Sequence, residues 1–309
     1  MTIKNRYKQL IIPHNHRGYH FFILSQAKIF IKEGNVVYSS KKDEELIKNI
    51  PYLNTSILIL GKGTSITSEA INYLSNNKTI IMSVTNTFNL HSVVFPEDSL
   101  NTNQYVKPLA QYVFNEDKKL RLAKAMLLLR YDINQKLANK NDVLREIYNS
   151  TKSLYENKEL NNIQSINELL GIEGDYVKKF RKTFKEVLGI SDELMQDFKI
   201  RIKLINSLMY GMASIILTAY GLPYGFNIFH GRTNKGALKY DIADLFKGIS
   251  VMVACLSLIK DFQDFYTIEK NEEKLLKIFS NILIEKFNII DIGFKETHQL
   301  LTKIQKGEI

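Results

Sequence analysis

Cysteine is almost missing from this chain: Cys255 stands alone among 309 residues. An internal disulfide is therefore impossible, and no thiolate cluster exists to hold zinc or an iron–sulfur centre. Acidic residues are also in short supply. Lysine and arginine number 42 against 32 aspartates and glutamates, which gives a formal net charge of +10 and a pI near 9.3. That balance favours a polyanionic partner. The excess is not carried by a tail. Residues 1–100 hold 11 basic and 7 acidic side chains, and residues 101–309 hold 31 and 25. A nucleic-acid surface must then be assembled by folding. No internal repeat and no long low-complexity segment is present. With 45% hydrophobic and 24% charged residues the composition is globular, and the length allows two domains or one large one.

Met1-Thr2-Ile3-Lys4-Asn5-Arg6 is polar and opens no signal peptide. Together with the lone cysteine this predicts a cytoplasmic protein. Leu204–Phe229 carries no charge and is long enough to span a bilayer. It also contains Asn206, Ser207, Ser214 and Thr218, and Gly221-Leu222-Pro223 ends its helical pattern. The expectation is a buried core helix, with no membrane.

The first part of the chain reads as β-rich. Tyr19–Leu24 is bulky and aromatic. Lys28–Lys32 alternates polar and apolar, Glu33-Gly34-Asn35 is a turn, and Val36-Val37-Tyr38 returns, which is a hairpin pattern. Ile57–Leu60, Ser65–Asn76 and Thr79–Val84 read as strand, helix, strand. Past Pro96 helical spacing takes over, with Leu122, Met126, Leu129, Ile133 and Leu137 as one stripe. Ser165-Ile166-Asn167-Glu168 is a capping box. The fold class is thus α+β: a small β-rich N-terminal domain over residues 1–96, a linker over 97–107, and a larger all-α domain over 108–309.

Two local patterns invite a functional reading and do not sustain it. Gly61-Lys62-Gly63-Thr64-Ser65 lies between a strand and a helix, but lacks the G-x-x-x-x-G-K-[S/T] spacing of a nucleotide loop. A tight turn with Thr64 or Ser65 as helix cap accounts for it. His14, His16 and His20 have no carboxylate or thiol near in sequence to complete a metal set. His91 and His298 are read as structural.

The segment from Leu169 to Gly248 carries chemistry. Glu173 lies between Gly171 and Gly174 and would share a helical stripe with Val177, Phe180 and Phe184. A carboxylate there is costly unless it is paired or bound to a cation; the alternative is a first-turn residue that complements the helix dipole. The two glycines suggest close backbone approach or a helix entry point. His230 follows the charge-free stretch in a glycine-rich loop. Asp241 and Asp244 stand at i, i+3 and open a helix; they either complement its dipole or hold a divalent cation. Carboxylates plus one imidazole suit Mg²⁺ or Mn²⁺. Lys178, Lys179, Arg181, Lys182, Arg232, Lys235 and Lys247 surround these positions. Metal-binding acids in a basic field match phosphodiester chemistry on nucleic acid.

This order of motifs resembles the family of CRISPR-associated adaptation integrases, Cas one. The matching pieces are Gly61-x-Gly-Thr-Ser-Ile-Thr, Gly171-Ile-Glu-Gly174, Asn206-x-x-x-Tyr210-Gly211, Gly221-Leu-Pro with Gly225 and His230, and Asp241-Ile-Ala-Asp244-Leu-Phe-Lys247. They span most of the chain. The Ile-Glu-Gly and His-Gly-Arg-Thr wording looks most like the subtype I-F branch. The resemblance implies a β-rich N-terminal domain, a helical catalytic domain and a homodimer. It implies metal ligands at Glu173, His230 and Asp244, a supporting acid at Asp241, and a basic residue at Lys247. Its implied partners are double-stranded DNA, as spacer precursor and CRISPR repeat, and a second Cas adaptation protein, fused to the helicase-nuclease in subtype I-F. Lys178, Lys182, Arg232, Lys235, Lys247 and Tyr210 are the expected DNA contacts. Where the family often has a second tyrosine after Tyr210-Gly211, this chain has Met212, so any auxiliary tyrosine role falls to Tyr210. The expected activity is metal-dependent endonuclease and integrase chemistry by transesterification. The competing expectation is a non-catalytic nucleic-acid-binding scaffold of the same fold.

Overall fold

The computed structural model describes residues 21–40, 43–96, 103–139, 142–151, 162–189, 192–229, 236–256, 272–286 and 288–309. The chain divides into two compact units, Met1–Thr102 and Asn103–Ile309.

The first unit is built on two four-stranded sheets. Strands β1 (Phe21–Leu24), β5 (Ile57–Leu60), β7 (Ile80–Val84) and β8 (Leu90–Val94) form one, in that order. β1, β5 and β7 run parallel and β8 antiparallel. β5 sits inside the sheet and all four of its residues are buried, which is why it reads as an unbroken apolar run instead of an alternating one. The second sheet has the order β4 (Asp43–Asn49), β3 (Asn35–Ser40), β2 (Ala27–Lys32), β6 (Ser65–Ile66). The expected hairpin is β2–β3, with Lys32 opposite Asn35. Its two turn residues, Glu33 and Gly34, both have positive φ, +50° and +73°, the twist that matches a two-residue hairpin. Helix α1 (Ser68–Asn76) packs on β2 and β3 of one sheet and β7 of the other. Ile29, Val36, Leu58, Ala70, Leu74 and Ile81 thereby join in one core. The strand–helix–strand pattern is a parallel crossover from β5 to β7. Its cap differs from the expectation. Thr67 caps α1, its hydroxyl accepting from Ala70 N–H at 3.3 Å. Thr64 instead donates to the Leu24 carbonyl at 3.1 Å, because Ser65–Ile66 pairs with β2 before the helix starts.

Among the described residues the regular elements of the second unit are all helical: α2 (Asn103–Val113), α3 (Glu116–Ala138), α4 (Asp142–Thr151), α5 (Ile166–Leu188), α6 (Asp192–Ala219), α7 (Ala237–Asp244), α8 (Lys247–Leu256), α9 (Glu272–Asn281), a π-helical turn Ile282–Lys286, and α10 (Ile289–Lys306). Residues 103–107, expected to be linker, are the first turn and more of α2. The cap of α5 forms at Ser165, with the return bond of the box going to the N–H one residue before the cap. Glu168 N–H donates to Ser165 Oγ at 3.2 Å, and the Glu168 carboxylate accepts from Ser165 Oγ and from Gln164 N–H.

Helix α6 organises the unit, packing on α7, α8, α9 and α10. Asp197–Ala219 is long and apolar enough to cross a membrane, yet 61% of its most apolar window is buried inside the fold. Ile205, Leu208, Met209, Ile215 and Leu217 are each at most 1% exposed. Each such side chain contributes ~1.5–3 kcal/mol on burial, so protein, not lipid, accounts for the apolarity. The helix ends where expected, at Gly221 with φ +62°.

Close approach at the glycines of α5 is not observed. A Cβ at Gly171 or at Gly174 would meet nothing within 4 Å. Both positions are exposed and lie inside the helix. Gly171→Ala and Gly174→Ala are each expected to raise stability by about 0.5–1 kcal/mol, measured by urea unfolding. A loss of stability would show that these glycines relieve a contact the helix itself does not display.

Candidate metal and nucleic-acid site

Four helices bring the site together. Glu173 stands on α5 and Asp244 is the last residue of α7. Lys247 opens α8, and Arg130 comes from the middle of α3. Arg130 Nη1 bonds Glu173 Oε1 at 2.5 Å, with the two side chains 5% and 19% exposed. Lys247 Nζ pairs with Asp244 Oδ1 at 2.5 Å, with 31% and 8% exposed. The two pairs feel one another. Burial pushes the Asp244 carboxyl above its ordinary range. Lys247 and Arg130 pull it back, and the neighbouring Glu173 charge pushes it up again.

Neither acid is a first-turn dipole complement. α5 begins at Ile166, so Glu173 lies two turns in. α7 begins at Ala237, not at Asp241, so Asp241 and Asp244 occupy its second half. Carboxylates at that end oppose the helix dipole, which removes the structural explanation offered for them and leaves Lys247 as the local compensation.

Asp241 has a different task. It is fully buried, and its carboxylate accepts from Ile228 N–H at 2.7 Å and from Phe229 N–H at 3.4 Å. It thus holds the loop that runs into His230. The same loop is tied to α6 by Tyr224, whose hydroxyl donates to the Ser214 carbonyl at 3.0 Å and lies 2.8 Å from Thr218 Oγ1. The Tyr224 carbonyl accepts from Leu238 N–H. Asp241 and Tyr224 clamp this loop between α6 and α7 up to Phe229.

His230, Arg232 and Lys235 lie outside the described residues, as do the side chains of Val177, Phe180 and Phe184. Tyr210, on α6, packs edge-on to Tyr240 at 4.9 Å. Burial, then Asp244, then Tyr240 raise its phenol above the ordinary value. It is a neutral hydrogen-bond donor at physiological pH, not a phenolate. Lys178 and Lys182 are exposed and face acids of their own helix, Asp175 at 3.5 Å and Glu186 at 3.8 Å. Such exposed pairs hold their partners weakly, so both lysines remain open to phosphates. Lys247, by contrast, is engaged at the site.

Sequence reading missed Arg130 and Asn134. Both are buried on α3, one turn apart. Asn134 packs onto Gly248, where a Cβ would come within 2.2 Å of Asn134 Oδ1. That glycine lets α8 approach α3 and brings Lys247 and Asp244 to Arg130. The spacing alone did not separate Arg130 from Leu129: Leu122, Met126, Ile133 and Leu137 keep steps of three and four with either one between them, and in the structure Arg130 is the more buried.

The described part supplies two carboxylates, donors of the kind a hard divalent cation takes. They come from separate helices and within electrostatic reach of one another, Asp244 buried and Glu173 partly so, with two cations balancing them. No group of three or more potential ligands occurs among the described residues, and the third expected ligand, His230, lies outside them.

The family model for CRISPR associated protein Cas1 matches residues 21–287. The chain belongs to the Cas1 family. It is 24% identical over 269 residues to the CRISPR-associated endonuclease Cas1 of Pectobacterium atrosepticum, covering 78% of this chain and 81% of that one. Its fold is similar to that of a TtCas1–DNA complex, with a TM-score of 0.67, 15% identity, and 92% and 97% of the two chains covered. It is likewise similar to a partial Cas6-RT-Cas1–Cas2 complex, with a TM-score of 0.70, 15% identity, and 94% and 96% covered. Membership of Cas1 agrees with the resemblance drawn from the motifs, and the mixed sheets of the first unit with the helices of the second are consistent with the fold of those Cas1 structures.

Proposed function

We propose that this Cas1 chain is a divalent-cation-dependent DNA endonuclease and integrase that inserts spacer DNA into a CRISPR array by transesterification. The observation that carries the reading is that Glu173 and Asp244, from α5 and α7, come within electrostatic reach of one another, each paired with a cation, Arg130 and Lys247. Glu173, Asp244 and His230 would hold Mg²⁺ or Mn²⁺, which supplies activation of the attacking hydroxyl and stabilises charge on the phosphate oxygens.

In the reaction a spacer 3′-oxygen bonds to a repeat phosphorus as the bond from that phosphorus to its own 3′-oxygen breaks. The number of phosphodiesters is unchanged, and a proton passes from attacking to leaving oxygen through solvent. The chain's part is positioning. Asp241 seats the loop ahead of His230. Tyr210, kept protonated by burial, offers a hydrogen bond at the Asp244 side. Lys178, Lys182, Arg232 and Lys235 supply phosphate contacts along the DNA. DNA and Cas2 accompany Cas1 in two of the structural neighbours, which supports both as partners here. The Cas2 partner is carried on the helicase-nuclease where the system is subtype I-F. A homodimer through the β-rich unit gives two sites for the two ends of one spacer. The place of action is the cytoplasm.

One observation favours a second reading, a non-catalytic DNA-binding scaffold. Arg130 and Lys247 already neutralise both acids, as a purely structural cluster would require. Cleavage separates the two. With Mn²⁺ and double-stranded DNA, the wild type is expected to cut. Glu173→Gln is expected to lose on the order of 10²–10³-fold or more of that activity while keeping its helical circular dichroism. Binding without cleavage by the wild type would establish the scaffold instead.

A further inference from the structure

Arg130 has no place in the expected ligand set, yet it is buried as deeply as the acids it serves. Its Nη1 holds Glu173 Oε1 at 2.5 Å, and its charge reaches Asp244 as well. Lys247 holds the other acid. Two carboxylates thus face two cations, and the formal charges of the four groups sum to zero. A divalent cation placed between Glu173 and Asp244 would turn that balance into an excess of +2. It would also need a carboxylate whose Oε1 is already bonded to Arg130. Like charges this close among mostly buried side chains are poorly screened. Lys247 can swing into solvent, being 31% exposed. Arg130, on a buried stripe of α3, is confined near the acids.

We infer that Arg130 is the resident counter-ion of the carboxylate pair, and that a divalent cation enters the site by displacing its guanidinium from Glu173. The inference rests on the cation-binding role given above to Glu173 and Asp244. Displacement costs the Arg130–Glu173 pair, so this chain binds the bare cation more weakly than its two acids alone would. It also leaves a forked donor beside the cation, the geometry that suits two oxygens of one phosphate. Arg130 is in this sense a positioning residue, acting through Glu173.

The test is a Mn²⁺ titration of the full chain without DNA, read by loss of the free-Mn²⁺ electron paramagnetic resonance signal. Arg130→Met is expected to bind Mn²⁺ about tenfold more tightly than the wild type, because repulsion and competition for Glu173 both vanish. If Arg130 merely orients Glu173 for the metal, Arg130→Met binds Mn²⁺ equally or less tightly, and the inference is overturned. A second measurement needs no variant fold to survive. Mg²⁺ titrated into arginine-¹⁵N-labelled wild type is expected to shift the Nε–H resonance of one buried arginine and speed its exchange with water. Resonances that stay fixed while Mg²⁺ binds would overturn displacement. Absence of any Mn²⁺ binding by both wild type and Arg130→Met would fail the cation site itself, and the inference with it.

Discussion

Asp241→Ala is expected to cost about 2–4 kcal/mol of folding stability, although Asp241 touches no reacting group. The carboxylate is 0% exposed and accepts from Ile228 and Phe229. Truncation leaves two backbone N–H groups without their acceptor at a place where Ile228 is itself buried. An orphaned buried donor costs ~1–3 kcal/mol, and the two here are not fully independent. Asp241→Asn retains one acceptor oxygen, which can keep the 2.7 Å bond to Ile228, so about half of the loss should return. DNA cleavage should fall in the same order, since the loop leading to His230 loses its seat. Urea unfolding monitored by helical circular dichroism measures the first effect, and Mn²⁺-dependent cutting the second. An alanine variant within ~0.5 kcal/mol of wild type, the usual range of a neutral surface change, would show that the loop is held by Tyr224 alone.

Much of this was legible in the sequence where the controlling interaction is local. The β2–β3 hairpin follows from alternation around Glu33-Gly34. The α5 capping box follows from Ser165 and Glu168, three residues apart. The burial of α6 follows from its polar punctuation and from the break at Gly221. What the sequence left unread depends on partners far apart along the chain. Arg130 and Glu173 are separated by 43 positions, and nothing near either residue announces the other. Asn134 and Gly248 meet only because α3 and α8 cross. The helix boundary before Asp241 was misplaced for a related reason. Tyr240 and Lys239 show no start signal, and α7 begins after Gly236 without a side-chain cap. Four residues of error there turned two late-helix acids into supposed dipole partners. Gly171 and Gly174 misled in the opposite direction, since their neighbours are open space.

Asp244→Asn is expected to make the protein more stable at pH 7–8 while it removes DNA cleavage. Asp244 ends α7, where the helix dipole disfavours a negative charge. Burial is the largest influence on its carboxyl and raises it. Lys247, by charge and by hydrogen bond, and Arg130 lower it, Glu173 raises it, and the balance remains raised above the ordinary 3.8. The folded chain then binds this proton more tightly than the unfolded chain does. The group's stabilising contribution is fully present below the unfolded value and is lost as pH rises through the folded one. At pH 7–8 the wild type therefore carries an ionised, desolvated carboxylate at a net cost. Asparagine has the same shape and no charge, and the partly exposed Lys247 can turn to water when its partner goes. Burial outweighs what Lys247 and Arg130 return, and Lys247 is not left buried without a partner, so the expected gain is about 0.5–2 kcal/mol, the scale of a single stabilising substitution. Loss of this carboxylate should meanwhile reduce cutting on the order of 10²–10³-fold. Unfolding of both proteins from pH 8 down to pH 4, without metal, checks the sign. The gap between them should narrow steadily as Asp244 takes up its proton. An asparagine variant that is less stable at pH 8, or a gap that does not change with pH, would mean that Lys247 and Arg130 outweigh burial and that the acid is a structural member of the cluster.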